Sequence, residues 1–290
     1  MISPRAAACL LLGVLGLVAL QAASAASDDT PPLWLRQPAT AEVTWRGMLP
    51  TEGGGVGMGP QIGPYLVPPG VAGLLAAILT HAAINQGMQS AARKREQDDA
   101  DRVLEPYRST LREWPASALW AAAALTPGAG LRLLDDGTQA PEAVIAEVVP
   151  VFTMAQDESA LWLDASVKLL AAPGVLPQDM MVRVISSPQD AADARAHWSA
   201  DDAQRLKALA AGLLAQALRI ARQHAEPAPG AETPPMRTYR YLQGKLERTE
   251  RAQWLSGDCD RAVLRTLRGW LLSVPLQPSL EKPCPRTTPF

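Results

Sequence analysis

Histidine and cysteine are scarce in this chain, with three of each in 290 residues. Zinc centres and iron–sulfur clusters draw on these residue types, so little material exists for either. GxSxG, HExxH, a P-loop and the glycine pattern of a dinucleotide fold are all missing. Their absence removes the motif-borne hydrolase, zinc protease, nucleotide-hydrolysing and dehydrogenase classes. Charge of one sign is also lacking: 27 Lys and Arg face 29 Asp and Glu, with a pI near 6.0. Without a basic surplus, nucleic acid is not an expected partner. At 19% charged and 48% apolar the chain is neither a typical disordered sequence nor a polytopic membrane protein.

What is present begins with an export signal. Arg5 is the only charge in the first 27 residues, and an apolar run from Cys9 to Leu20 follows it. That run has signal-peptide length and is short for a bilayer span. Ala23-Ser24-Ala25 supplies the small-x-small pattern of a cleavage site, so residues 1–25 are expected to leave after Ala25. The mature protein is then periplasmic or secreted. An uncleaved N-terminal anchor is the alternative. Cleavage removes Cys9 and leaves Cys259 and Cys284, an even pair in an oxidising compartment, most simply a disulfide. Such a closed loop adds roughly 3–4 kcal/mol in the chain-entropy account. Two free thiols are the rival reading.

Residues 26–69 form a Pro/Gly-rich lead that breakers make largely irregular, with only Glu42 to Arg46 patterned for a short strand. A single α+β domain is expected over residues 70–275, followed by a tail at 276–290. It opens with an Ala/Gly-rich helix from about Val71 to Arg95. The apolar stretch at 71–84 fits burial in protein, or a membrane-associated helix with Arg93-Lys94-Arg95 behind it. Leu104, Tyr107, Leu111 and Trp114 recur at helical spacing, and Pro115 starts a further short helix.

The middle favours strands: Ala143 to Val149 with Pro150 at an edge or bulge, Ala160 to Leu170, and Met180 to Ser186. In the second of these Leu161, Leu163, Ala165, Val167 and Leu169 share one face. Ser199 to Asp202 resembles a capping box opening an amphipathic helix through Leu206, Leu209, Leu213 and Leu214. Thr238 to Leu255 predicts a hairpin turning at Gly244, with a helix over Lys245 to Trp254 as the alternative, and Asp258 is expected to cap a helix carrying Val263, Leu264, Leu267, Trp270 and Leu271. The fold class expected is α+β, a mostly antiparallel sheet covered by helices on one face.

No residue receives a catalytic, cofactor-binding or metal-binding role. His81 reads as a packed or surface imidazole. His224 suits a helix C-terminus, where a cation is favourable. His197 alone lies near useful partners, Ser199, Asp201 and Asp202, and a capping or hinge role competes with catalysis there. The pairs Asp98-Asp99, Asp135-Asp136 and Asp201-Asp202 read as solvated faces or caps rather than metal or glycosidic sites. Eight Trp stand beside two Phe and four Tyr. Trp34 and Trp45, in the lead, are candidates for a binding surface or for pins that hold the lead to the body.

The order of parts, with Arg237-Thr238-Tyr239-Arg240-Tyr241-Leu242 and Thr266-Leu267-Arg268-Gly269-Trp270-Leu271-Leu272-Ser273-Val274-Pro275, resembles a group of uncharacterised exported proteobacterial proteins. That resemblance spans residues 65–275 and implies no activity. The functional expectation is a non-catalytic cell-envelope protein acting through contacts with an envelope protein or cell-surface component. A periplasmic hydrolase with a site assembled from distant residues is one alternative, and a membrane-associated protein anchored by 71–84 is another.

Overall fold

The computed structural model describes residues 32–37, 43–49, 92–134, 143–170, 177–189, 193–225, 233–258 and 260–276. The leader, the 71–84 segment, His81, Asp135, Asp136, Cys259 and Cys284 lie outside the described residues. The described residues all belong to one compact unit, Pro32–Phe290.

Two short strands come first, β1 (Leu33–Arg36) and β2 (Thr44–Gly47). A helix α1 at residues 92–100 runs into a 3-10 turn, Asp101–Tyr107, then α2 (Arg108–Glu113) and α3 (Ala116–Ala124). Next are β3 (Leu131–Leu134), β4 (Ile145–Met154), β5 (Leu161–Leu170) and β6 (Gln178–Ile185). The long helix α4 (Ala194–Gln223) precedes β7 (Met236–Gln243), β8 (Leu246–Gly257), β9 (Arg261–Thr266) and β10 (Leu271–Pro275).

The protein is α+β, but its ten-stranded sheet is mixed, which corrects the mostly antiparallel expectation. Strand order is β3-β1-β4-β5-β6-β10-β9-β8-β7, with β2 also on β4. β1 runs parallel to β3 and β4, β2 parallel to β4, and β10 parallel to β6. Short turns oblige β4-β5-β6 and β7 to β10 to be antiparallel; the strands that arrive from far along the chain are under no such constraint.

β5 has the alternation its sequence predicts. Leu161, Leu163, Ala165, Val167 and Leu169 enter the larger core with Leu206, Leu213 and Leu214 of α4 and Trp120 of α3. The opposite face of β5 is not solvated at Trp162, which is 1% exposed. Trp162 joins Ile185, Tyr241, Leu264, Leu272 and Val274 in a second core. That core exists because β7 to β10 curl until Tyr241 bridges Leu276, just past β10. Gly244 turns the β7–β8 hairpin at φ +63°, where an L side chain is strained, and an added Cβ would come within 2.6 Å of Ser159 Oγ.

Three further expectations are corrected. The helix expected after Asp258 is instead the β9–β10 hairpin. Asp258 Oδ1 does accept backbone N–H groups, from Asp260 and Arg261, both at 2.9 Å, but this closes a turn between strands. Ala262 and Leu264 alternate inward, and Gly269, at φ +80°, provides the reversal. Pro150, expected at an edge or bulge, lies inside β4 in regular register with Ala165 of β5. β1 pairs with β4 up to Glu147 and β2 resumes at Val151, so the proline falls where that neighbouring ladder is already interrupted. Finally, α4 starts at Ala194, capped by Asp193 Oδ1 on Ala196 N at 2.9 Å. Ser199–Asp202 marks a break inside it: Asp201, Asp202 and Ala203 have φ of 52°, 56° and 56°.

Candidate contact cleft

β2 reaches the body through a glycine. An added Cβ on Gly47 would sit 1.9 Å from the Ala100 carbonyl oxygen, so only glycine lets this strand abut the end of α1. The Gly47 N–H donates to Asp101 Oδ1 at 2.8 Å, and its carbonyl accepts from Gln97 Nε2 at 3.2 Å. These two side chains cap the C-terminal end of β2 where a neighbouring strand would otherwise lie. Trp45 projects to the core face, stacked on Phe152 with ring centroids 4.5 Å apart and 6.4 Å from Trp114.

Beside β2, an open cleft of about 590 Å³ separates the strand from the 3-10 turn and α2. Its apolar lining is Val43, Trp45, Leu104 and Leu111. Charged residues complete it, and most of their charge is already engaged. Asp98 binds Lys94 at 2.8 Å, Arg102 binds Asp99 at 2.8 Å and Arg108 binds Glu105 at 2.9 Å. Arg112 also lines the cleft, and has no carboxylate partner among the described residues.

Two buried carboxylates were not singled out by sequence, and both act as struts. Glu158, at φ +56°, accepts from Tyr107 Oη on one oxygen and from Arg195 Nη2 at 3.1 Å on the other. Its backbone carbonyl accepts from Trp198 Nε1 at 2.7 Å. Burial, then the Glu158 hydrogen bond, push the Tyr107 hydroxyl well above the usual phenol value. Asp164 takes a bidentate Arg183 at 2.5 and 2.8 Å, with Arg46 Nη2 at 3.5 Å. The Arg183 guanidinium lies 5.6 Å from the Trp270 ring centroid, beside a second cleft of about 480 Å³. The missed signal for Asp164 is a charged residue on the outward face of a strand that is otherwise strongly apolar.

Trp34 and Trp45 are both half-buried in strands paired with the sheet, and Arg132 stands 5.9 Å from the Trp34 ring. Both therefore tie the lead to the body, and Trp45 also lines the cleft. Among the described residues His197 is not brought to a carboxylate or a serine. Its Nδ1 lies 2.9 Å from Arg205 Nη1, while Ser199 Oγ donates to the Arg195 carbonyl and Asp202 pairs with Lys207 at 2.8 Å. His224 caps the C-terminus of α4, but burial first, and Arg265 second, hold it below the ordinary imidazole value.

Among the described residues no three His, Cys, Asp or Glu side chains converge as metal ligands, and no helix is long and apolar enough to cross a membrane. The chain matches no family model, no curated protein and no solved structure.

Proposed function

We propose that this is a non-catalytic, exported cell-envelope protein whose work is contact with another protein or a surface component of the envelope. The observation carrying this reading is the Trp45 cleft: an open recess with an indole and three aliphatic side chains in its lining and an arginine with no carboxylate partner among the described residues. Such a combination suits recognition, where aromatic anchors supply area and a charge supplies orientation. The buried carboxylates, by contrast, are consumed in holding segments together. In this proposal the leader is cleaved after Ala25 and Cys259 pairs with Cys284 in the periplasm.

Photo-reactive side chains at Arg102 and Arg108, which line the cleft but are already ion-paired, introduced into protein expressed with its leader, test this reading. Defined adducts in intact envelopes are expected from both positions and not from Lys168, an exposed residue on β5. Adducts from Lys168 alone, or identical patterns from all three, would remove the cleft as the contact surface. Intact mass of the same material is expected to show loss of the first 25 residues and of two hydrogens at the cysteines.

A further inference from the structure

Strand alternation fixes which way the backbone of β2 faces. Met48 N donates to the Met154 carbonyl at 2.9 Å, directing Met48, and with it Arg46 and Thr44, toward β4. Gly47 and Trp45 therefore present their N–H and C=O groups to the other side. At Gly47 both groups are satisfied, by Asp101 and Gln97. Two residues earlier, Trp45 offers the same pair of groups to the cleft, and among the described residues neither has a partner. An unpaired donor and acceptor on a strand edge are a template for another strand.

We infer that the outer edge of β2 receives an extended polypeptide segment of a partner protein, which adds to the sheet through the Trp45 backbone and places a carboxylate on Arg112. The inference rests on the cleft being a contact surface, and names what fills it. Three features define the occupant. The free backbone pair selects main chain over sugar or lipid, because it repeats the donor–acceptor spacing of a strand. Val43, Leu104 and Leu111 offer apolar surface to one of its side chains. Asp98 is ion-paired with Lys94 and Glu105 with Arg108, while Asp101 accepts from the uncharged Gly47 amide and Gln97. Arg112 is the lining cation with no carboxylate partner among the described residues, so a carboxylate set directly against it is complementary. A recess of about 590 Å³ lies within the usual range for ligand pockets and admits a few residues of extended chain.

The test uses the full mature protein and linear twelve-residue peptides selected on it from a randomised display library. Selected peptides are expected to share an acidic residue near an apolar one. Binding them should slow hydrogen exchange at the Trp45 amide at least tenfold while leaving the Gly47 amide unchanged. Methylating the peptide nitrogen that faces Trp45 should weaken binding by roughly three- to tenfold, the range of one backbone hydrogen bond. Arg112→Ala should weaken acidic peptides by about tenfold or more, the scale of a hydrogen bond to a charged group, and leave their Asn or Gln analogues nearly unaffected. Peptides that bind without protecting Trp45, or that tolerate the methylation, overturn strand addition. So does a Trp45 amide already protected in the free monomer, which would mean its own chain fills the edge, or protected only on dimerisation. Envelope adducts at Arg108 accompanied by any of these results leave the contact surface standing and the strand mechanism refuted.

Discussion

The two ends of the sheet solve the same problem in different ways. At the C-terminal end β7 to β10 curl until Tyr241 meets Leu276, and the Gly244 tip tucks against Ser159, so backbone and side chains close the edge together. At the other end β1 and β2 share one side of β4 as two four-residue pieces, and β2 is finished by the side chains of Asp101 and Gln97. Long alternating strands have enough twist and enough apolar surface on the second face to roll over a core of their own. Four-residue strands bracketed by proline and glycine do not, and the edge is patched where a helix end happens to reach it. The rolled end is thus built for stability, and at the patched end the Trp45 backbone pair has no partner among the described residues.

The contrast breaks most visibly at Trp162, fully buried at the centre of the rolled core. Trp162→Ala should lower unfolding free energy by about 4 kcal/mol, the usual range for removing a buried large aromatic. Urea titration measures this, and exchange at Tyr241 should rise before exchange at Leu163. A loss under 1 kcal/mol would mean the second core contributes little. Asp164→Ala leaves Arg183 half-buried against Trp270 without its bidentate acceptor, and about 3 kcal/mol should be lost. The double variant with Arg183→Leu should recover part of that loss, as expected if desolvation of the Arg183 cation causes it.

At the patched end the effects are smaller. Gly47→Ala drives a Cβ into the Ala100 carbonyl and should cost about 2 kcal/mol as α1 and β2 separate. Its specific readout is chemical-shift change confined to residues 43–49 and 92–104. Asp101→Ala removes the acceptor of two hydrogen bonds, from the Gly47 amide and from Gln97, a loss of about 1 kcal/mol, and should speed exchange at the Gly47 amide with Tyr241 untouched. The smallest effect is on the acid side. His224 is held below its ordinary value of 6.5 by burial and by Arg265, so the unfolded chain takes up this proton first as pH falls. Stability should decline below about pH 6.5 until the folded-state value is reached, because the unfolded state binds more protons there. His224→Gln should flatten that part of the urea-midpoint profile, and an unchanged slope would assign the acid sensitivity to other groups.

How far the residues speak for themselves varies along the chain. β5 was legible because its odd-numbered positions are apolar over ten residues, and the β7–β8 hairpin only in part, since Gly244 marks the turn while the charged run from Lys245 to Trp254 also suits a helix. α3 was legible from Pro115 in front and Pro127-Gly128 behind. β9 and β10 were not, since Val263, Leu264, Leu267, Trp270 and Leu271 satisfy a helical period as well as a hairpin. Their neighbours β8 and β6 settled the matter by offering open edges on either side. β1 escaped notice because four residues are too few to show a period, although Pro32 and the prolines around it bracket the strand without entering it.

The cleft shows the same division. Trp34 and Trp45 could be named from composition, as aromatic residues in a segment poor in other core material. Arg112, Asp101 and Gly47 could not be singled out, because nothing local distinguishes an arginine on a helix surface from one facing a strand edge. Local pattern governs elements whose periodicity is long and whose turns are short, since each residue there answers only to near neighbours. Strand direction, the second core, the break in α4 and the open edge of β2 depend on segments distant in sequence competing for the same surfaces, a contest settled only once the chain has packed.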